Sequence, residues 1–188
     1  MSAAGPFPRR SLPLGGSGAQ RRRGRQTAVV HADDVTPVPW KNGGGITRDL
    51  FADAIDWRWR ISLADIAVDG PFSDYPGVER WFSVIEGRGV ELRFRDASHA
   101  LRVGDEPLRF DGAHGPGCRL LEGPTRDLNL LLRDGVRGAM RRTEPGVAWA
   151  EDWPWRAHFD IATRTLEWGL PPGALTGRGA GLWIGIAP

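Results

Sequence analysis

The sequence predicts an all-β fold, a sandwich or barrel of short strands. Apolar residues recur with period two in several segments, and turn signals punctuate the chain every 8–12 residues. No stretch of ten or more residues carries a 3.6-residue apolar stripe. Together these patterns argue for strands throughout rather than helices.

The elements follow in order. Trp57, Trp59, Ile61 and Leu63 alternate with Arg58, Arg60, Ser62 and Ala64, a half-buried strand. The apolar run Trp81–Ile85 stops at the turn Glu86-Gly87-Arg88-Gly89. Val90, Leu92 and Phe94 then alternate with Glu91, Arg93 and Arg95, which predicts a hairpin between the two segments. Arg119–Leu121 precedes the turn Glu122-Gly123-Pro124. Leu128, Leu130 and Leu132 then oppose Asp127, Asn129, Leu131 and Arg133. Trp155, Ala157, Phe159 and Ile161 oppose Arg156, His158 and Asp160, and Thr165–Trp168 and Gly181–Ile186 read as the last strands. The Gly/His/Pro segment Asp111–Gly117 is expected to connect two β-rich halves.

Charge divides the chain unevenly. Residues 1–26 hold six arginines (Arg9, Arg10, Arg21, Arg22, Arg23, Arg25) and no acid. Residues 27–188 keep the remaining 19 basic residues against all 23 acidic ones, a net charge of −4. The sequence pI of 9.3 therefore belongs to the tail, read as a disordered basic extension or as residues upstream of the true start. An acidic body argues against nucleic-acid binding by the domain. Arg9-Arg10 is not followed by an uninterrupted apolar region, so an export signal is not expected. No apolar run reaches the ~20 residues that span a bilayer, and a cytoplasmic location is expected. Cys118 is the single cysteine, which rules out an internal disulfide and a cysteine zinc site.

The most distinctive string is Pro39-Trp40-Lys41-Asn42-Gly43-Gly44-Gly45-Ile46-Thr47-Arg48. Consecutive glycines allow close backbone approach, and exposed N–H groups can cradle an anion, with Lys41, Thr47 and Arg48 as flanking donors. The string lacks the Gly-Lys-Ser/Thr ending of a phosphate loop. A tight turn with solvated charges is the alternative. There is no Gly-x-Ser-x-Gly, and Cys118 reads as a packed small residue rather than a nucleophile.

The strings PWKNGGGITRDL, DWRWRISLADI, DGPFSDYPGVERWFSVIEGRG, PLRFDG and LLEGPTRDLNLLLR, in this order over residues 36–133, resemble the HutD/Ves family of the cupin superfamily. The resemblance implies an RmlC-like cupin β-barrel in a bicupin arrangement over residues 27–188. Metal-holding cupins carry two histidines one residue apart before the hydrophobic strand. Here Phe72, Ser73, Asp74 and Tyr75 stand at that place, and no histidine lies between His31 and His99. No metal and no other cofactor are expected. A metal-free barrel binds through direct polar contacts. Arg60, Ser62 and Arg80 on strand faces, Asn42 and Ser73 on loops, and Asp127 and Asn129 on one strand face are the candidates, beside Lys41, Gly43, Gly44, Thr47 and Arg48. Internal pairing of Arg60 and Arg80 with Asp127 or Glu86 is an equally weighted alternative.

The family's association with histidine-utilisation operons implies a binder of a small anionic or zwitterionic metabolite, such as formylglutamate, in a regulatory role and without catalysis. A metal-independent cupin isomerase or hydrolase is the alternative. No nucleic acid or membrane partner is expected, and a homodimer is the assembly left open.

Overall fold

The computed structural model describes residues 27–143, 145–171, 175–176 and 179–188. The basic tail of residues 1–26 lies outside the described residues. The strands are β1 (Ala28–His31), β2 (Val38–Pro39), β3 (Gly45–Ala52), β4 (Trp59–Ile66), β5 (Gly70–Pro71) and β6 (Glu79–Glu86). They continue with β7 (Val90–Arg93), β8 (Ser98–Leu101), β9 (Leu108–Asp111), β10 (Gly117–Leu120), β11 (Thr125–Leu132) and β12 (Arg137–Thr143). The last are β13 (Ala148–Trp149), β14 (Trp155–Asp160), β15 (Thr165–Trp168), β16 (Leu175–Thr176) and β17 (Gly181–Ala187). The only helical turn among the described residues is a 3₁₀ turn at Ala32–Asp34.

A six-stranded sheet, ordered β2-β3-β4-β11-β6-β9, forms the middle layer. One of its faces packs on the four-stranded sheet β5-β10-β7-β8, closing a cupin-type barrel. The other face packs on the five-stranded sheet β1-β15-β14-β17-β12. Period-two alternation on the long strands builds both interfaces. Ile61 and Leu63 of β4 and Leu128, Leu130 and Leu132 of β11 enter the larger core, where Phe159, Met140, Leu182 and Ile184 meet them. Their strand neighbours point into the barrel, with Ile66, Phe82, Val84, Val90 and Leu92 forming its apolar part.

The pairing departs from the sequence expectation at one place. Residues 81–94 do not make a hairpin: β6 pairs with β11 and β9, whereas β7 pairs with β8 and β10 in the opposite sheet. The expected turn at 86–89 exists, but it turns the barrel's corner. Gly89 makes this feasible, with φ of 105° and a position where any Cβ would collide with the Leu101 carbonyl oxygen. Burial explains the choice. Both β6 and β7 have apolar faces that need the barrel interior, and lying in facing sheets lets both reach it.

Residues 111–117 join β9 to β10, two strands of the barrel. The passage to the five-stranded sheet comes after β11, at residues 133–136, and β1 also joins that sheet through β15. The two β-rich parts therefore interleave in sequence around the central β11.

Candidate functional site

The barrel face of the middle sheet carries a polar cluster in an otherwise apolar interior. Register fixes its members. Leu131 stands opposite Arg60 on one side and Arg80 on the other; Asn129 stands opposite Ser62 and Phe82; Asp127 stands opposite Ala64 and Val84. Asp49 of β3 pairs with Ser62 and extends the same face. With strands spaced ~4.8 Å apart, the backbones of Arg60 and Arg80 lie about 10 Å from each other across Leu131.

Arg80 is the centre of the cluster. Only 7% of its surface is exposed, and Nη2 donates to Asn129 Oδ1 at 3.0 Å. Asn129 Nδ2 in turn donates to Asp127 Oδ2 at 2.5 Å. Three rings surround the guanidinium carbon: Phe72 at 4.9 Å, Phe110 at 5.3 Å and Tyr75 at 5.8 Å. Such faces attract a cation without neutralising it. Burial holds the Arg80 pKa below the usual arginine value, with Asp127 and Tyr75 acting in the other direction and Arg60 adding like-charge repulsion. Asp127 is 1% exposed, and burial pushes its carboxyl up to about 7 against the opposing pull of Asn129 and Arg80.

Several atoms in the cluster lack a hydrogen-bond partner: Nε of Arg80, Oδ1 of Asp127, Nε of Arg60 and Oδ1 of Asp49. The last two form an ion pair at 3.6 Å, too long for a hydrogen bond, so Arg60 is already paired with the Asp49 carboxylate. Arg60 also lies 5.0 Å over the Trp57 ring. The arrangement is a pair of guanidinium groups with spare donor capacity, next to an acid that titrates near neutrality. Its chemistry suits a small ligand rich in acceptors, a carboxylate first.

The other sequence candidates go elsewhere. Lys41, Asn42, Gly43 and Gly44 form the β2–β3 turn at the Ile66 end of β4, six residues or about 20 Å along the strand from Arg60. There Asn42 Oδ1 accepts from the Gly44 N–H at 3.0 Å, closing the turn. Gly45 is required because a Cβ would collide with the Asp65 carbonyl oxygen. Thr47 does lie on the barrel face, but its Oγ1 accepts from Trp40 Nε1 at 2.7 Å, and the Trp40 ring packs edge-on against Phe72. Arg48 pairs in register with Leu63 and so faces the other way. It bonds Asp65 at 2.7 Å, and Arg126 bonds the same carboxylate and Glu86. Burial opposes ionisation of Asp65, and the hydrogen bonds from Arg126 and Arg48 outweigh it, lowering its pKa. Ser73 is exposed on the loop after β5. Of the twelve candidates, the structure thus gathers Arg60, Ser62, Arg80, Asp127 and Asn129.

Asp49, Phe72, Tyr75 and Phe110 were missed by sequence reasoning. Asp49, Phe72 and Tyr75 lie inside the quoted strings, and Phe110 lies in PLRFDG. A search for acceptors and rings beside each arginine would have reached them. Among the described residues, no group of three or more His, Cys, Asp or Glu side chains is placed to hold a metal ion. Cys118 is buried, and desolvation pushes its thiol up to about 12. No helix among the described residues is long and apolar enough to cross a membrane.

Comparison with known proteins places this geometry in a family. The HutD family model matches residues 32–152. An uncharacterised 21.2 kDa protein in the hutC 3′ region of Pseudomonas putida is 34% identical over 110 residues, 56% of this chain and 58% of that one. Protein Ves of Escherichia fergusonii is 36% identical over 108 residues, 53% of this chain and 56% of its own. The chain thus spans under three-fifths of the length of these curated relatives. Among solved structures, HutD from Pseudomonas fluorescens SBW25 in a formate condition superposes with a TM-score of 0.77 at 26% identity. The superposition covers 86% of this chain and 98% of that one. A conserved protein of unknown function from Pseudomonas aeruginosa PAO1 gives 0.75 at 25% identity, over 87% and 100% of the two chains. With its family strings, its cupin-type barrel and a model match over most of its length, this chain belongs to the HutD family.

Proposed function

We propose that this protein is a metal-free cupin that binds a small anionic metabolite in the barrel, acting in the cytoplasm to regulate histidine utilisation. The observation that carries the reading is Arg80. It is a buried guanidinium held by aromatic faces and one neutral amide, with an unpartnered Nε and a second arginine across Leu131. A buried cation without a carboxylate in ion-pair contact is costly, and a ligand carboxylate between Arg60 and Arg80 would relieve that cost. The gene position named for the P. putida relative supports the link to histidine degradation. The partner is then a glutamate-like acid such as formylglutamate, with no role for nucleic acid or membrane, and with two copies as the assembly to test.

Titration calorimetry with formylglutamate, formiminoglutamate, glutamate, urocanate and histidine tests the reading. Expected is saturable, roughly micromolar binding of one anionic glutamate derivative, about −8 kcal/mol, lost in Arg80→Gln. No heat with any of the five, or binding unchanged in Arg80→Gln, overturns it.

One observation favours a second reading, a metal-independent enzyme. Asp127 titrates near neutrality inside the barrel, which suits general acid–base work. Turnover of any of the five compounds, followed by proton NMR and abolished in Asp127→Asn, would establish it; unchanged spectra dismiss it for those substrates.

A further inference from the structure

Arg80 and Asp127 are joined inside the barrel by one side chain. Asn129 accepts from Arg80 Nη2 with its oxygen, at 3.0 Å, and donates to Asp127 Oδ2 with its nitrogen, at 2.5 Å. The guanidinium therefore fixes which way the amide points, and the amide carries the influence of the cation to the acid. Asp127 is sealed from solvent, and its Oδ1 has no hydrogen-bond partner. Burial opposes its charge most, Asp65 adds to that, and Asn129 and Arg80 favour it.

The other groups around Asp127 are few. β4 carries Arg60, ion-paired with Asp49 of β3, and Asp65, which is turned to the opposite face and held by Arg126 and Arg48. From the facing sheet, β10 presents Cys118, whose thiol is pushed up to about 12 by burial, with Asp127 and Asp69 acting in the same direction. The Tyr75 ring stands by Arg80 from the loop after β5. β7 and β8 turn only Val90, Leu92 and Leu101 inward among the described residues. Cys118 thus stays a thiol and Asp65 an ion around neutrality, which leaves Asp127 to titrate there.

A carboxylate held by Arg80 cancels the positive charge that favours ionised Asp127, and it adds a repulsion of its own. Both effects favour the protonated acid. At an effective dielectric constant of about 20, a unit charge roughly 10 Å away moves a pKa by about one unit. Coupling between two bound species is reciprocal, so a proton on Asp127 tightens the hold on the anion by the same factor.

We propose that ligand binding in the barrel is proton-linked: an anion on Arg80 draws a proton onto Asp127 through the Arg80–Asn129–Asp127 chain, and affinity falls as pH rises through neutrality. The inference rests on the anion-binding reading of the barrel given above. Asp127 acts through Asn129 and does not have to touch the ligand.

The test is titration calorimetry of the full chain with formylglutamate, which has no amine to titrate near neutrality. It is run at pH 6 and pH 8.5, and at pH 7 in two buffers of different ionisation enthalpy, at matched chloride. Expected is a Kd about fivefold or more weaker at pH 8.5 than at pH 6, with uptake of roughly 0.4 proton per ligand at pH 7. Asp127→Asn, uncharged at every pH, is expected to lose both effects. Should that variant fail to fold, the two-buffer measurement on the parent decides alone. The linkage falls, with the barrel reading intact, if formylglutamate binds equally at pH 6 and pH 8.5, if it binds at pH 7 without taking up a proton, or if Asp127→Asn keeps the pH dependence. Absence of binding at both pH values overturns the linkage together with the reading on which it rests.

Discussion

Replacing Asp127 with asparagine should change how stability depends on pH more than it changes stability at any one acidic pH. Asp127 has a folded-state pKa of about 7 because burial penalises its charge, against an unfolded value near 3.8. The folded pKa is raised, so the group's contribution is fully favourable below pH ~4 and is lost as pH rises through 7. With a folded value of about 7 against 3.8, linkage gives a total of roughly 4 kcal/mol, more than half of which falls between pH 5 and pH 8. Asparagine keeps an acceptor for Asn129 Nδ2 and imitates the protonated acid without titrating. Urea unfolding of both proteins at pH 5 and pH 8 isolates this group, because every other titration cancels in the difference. The variant should gain on the parent by ~2–3 kcal/mol across the interval, roughly a 1 M relative shift in urea midpoint. A stability difference that stays constant from pH 5 to pH 8 would refute the reasoning. It would mean that Asp127 is ionised throughout and that the Arg80–Asn129–Asp127 chain behaves as a salt bridge through an amide.

Other consequences follow from the same geometry. Gly45→Ala must push β3 away from the Asp65 carbonyl, and thermal unfolding should show a loss of several kcal/mol, as expected for overpacking against backbone. Arg48→Ala should cost only about 1 kcal/mol in urea unfolding, since the Arg48–Asp65 pair is partly exposed, and should leave ligand affinity unchanged because the side chain faces away from the barrel. Cys118, buried and with its thiol pushed up to about 12, should react with a thiol reagent at neutral pH only as fast as the protein opens. Labelling that outpaces global unfolding would place it at the surface.

The strand faces were legible because a period of two is a local property. Arg60 and Ser62 alternate with Ile61 and Leu63, and Asp127 and Asn129 alternate with Leu128 and Leu130, so each strand declares which residues share a face. What joins β4, β11 and β6 side by side is not local: Asn129 meets Ser62 and Phe82 across 67 and 47 residues. The hairpin expected at 81–94, which does not form, has the same origin. A good turn at 86–89 says that the chain reverses and does not say into which sheet. Arg48 was misplaced by adjacency, since sequence proximity to the glycine string suggested a shared site. The register shift between Asp49 and Phe51, which sets how β3 meets β4, has no signature in composition. The strand β12, rich in arginine and at a sheet edge, gave no apolar alternation to read.

The two faces of the middle sheet answer to different demands. Toward the five-stranded sheet, Ile61, Leu63, Leu128, Leu130 and Leu132 are sealed in a contiguous apolar core, and at about 25 cal/mol per Å² such burial is where stability comes from. Toward the barrel, β6 and β11 bury Arg80, Asp127 and Asn129, with Arg80 Nε and Asp127 Oδ1 left unpartnered, an arrangement that apolar side chains of similar volume would stabilise better. A half-satisfied polar cluster is tolerable here because the opposite face supplies the stability that the cluster withholds. On the binding proposed above, a molecule that completes the unmet donors and the acid poised near pH 7 would sit on the barrel face, and not at the glycine string that dominates the sequence.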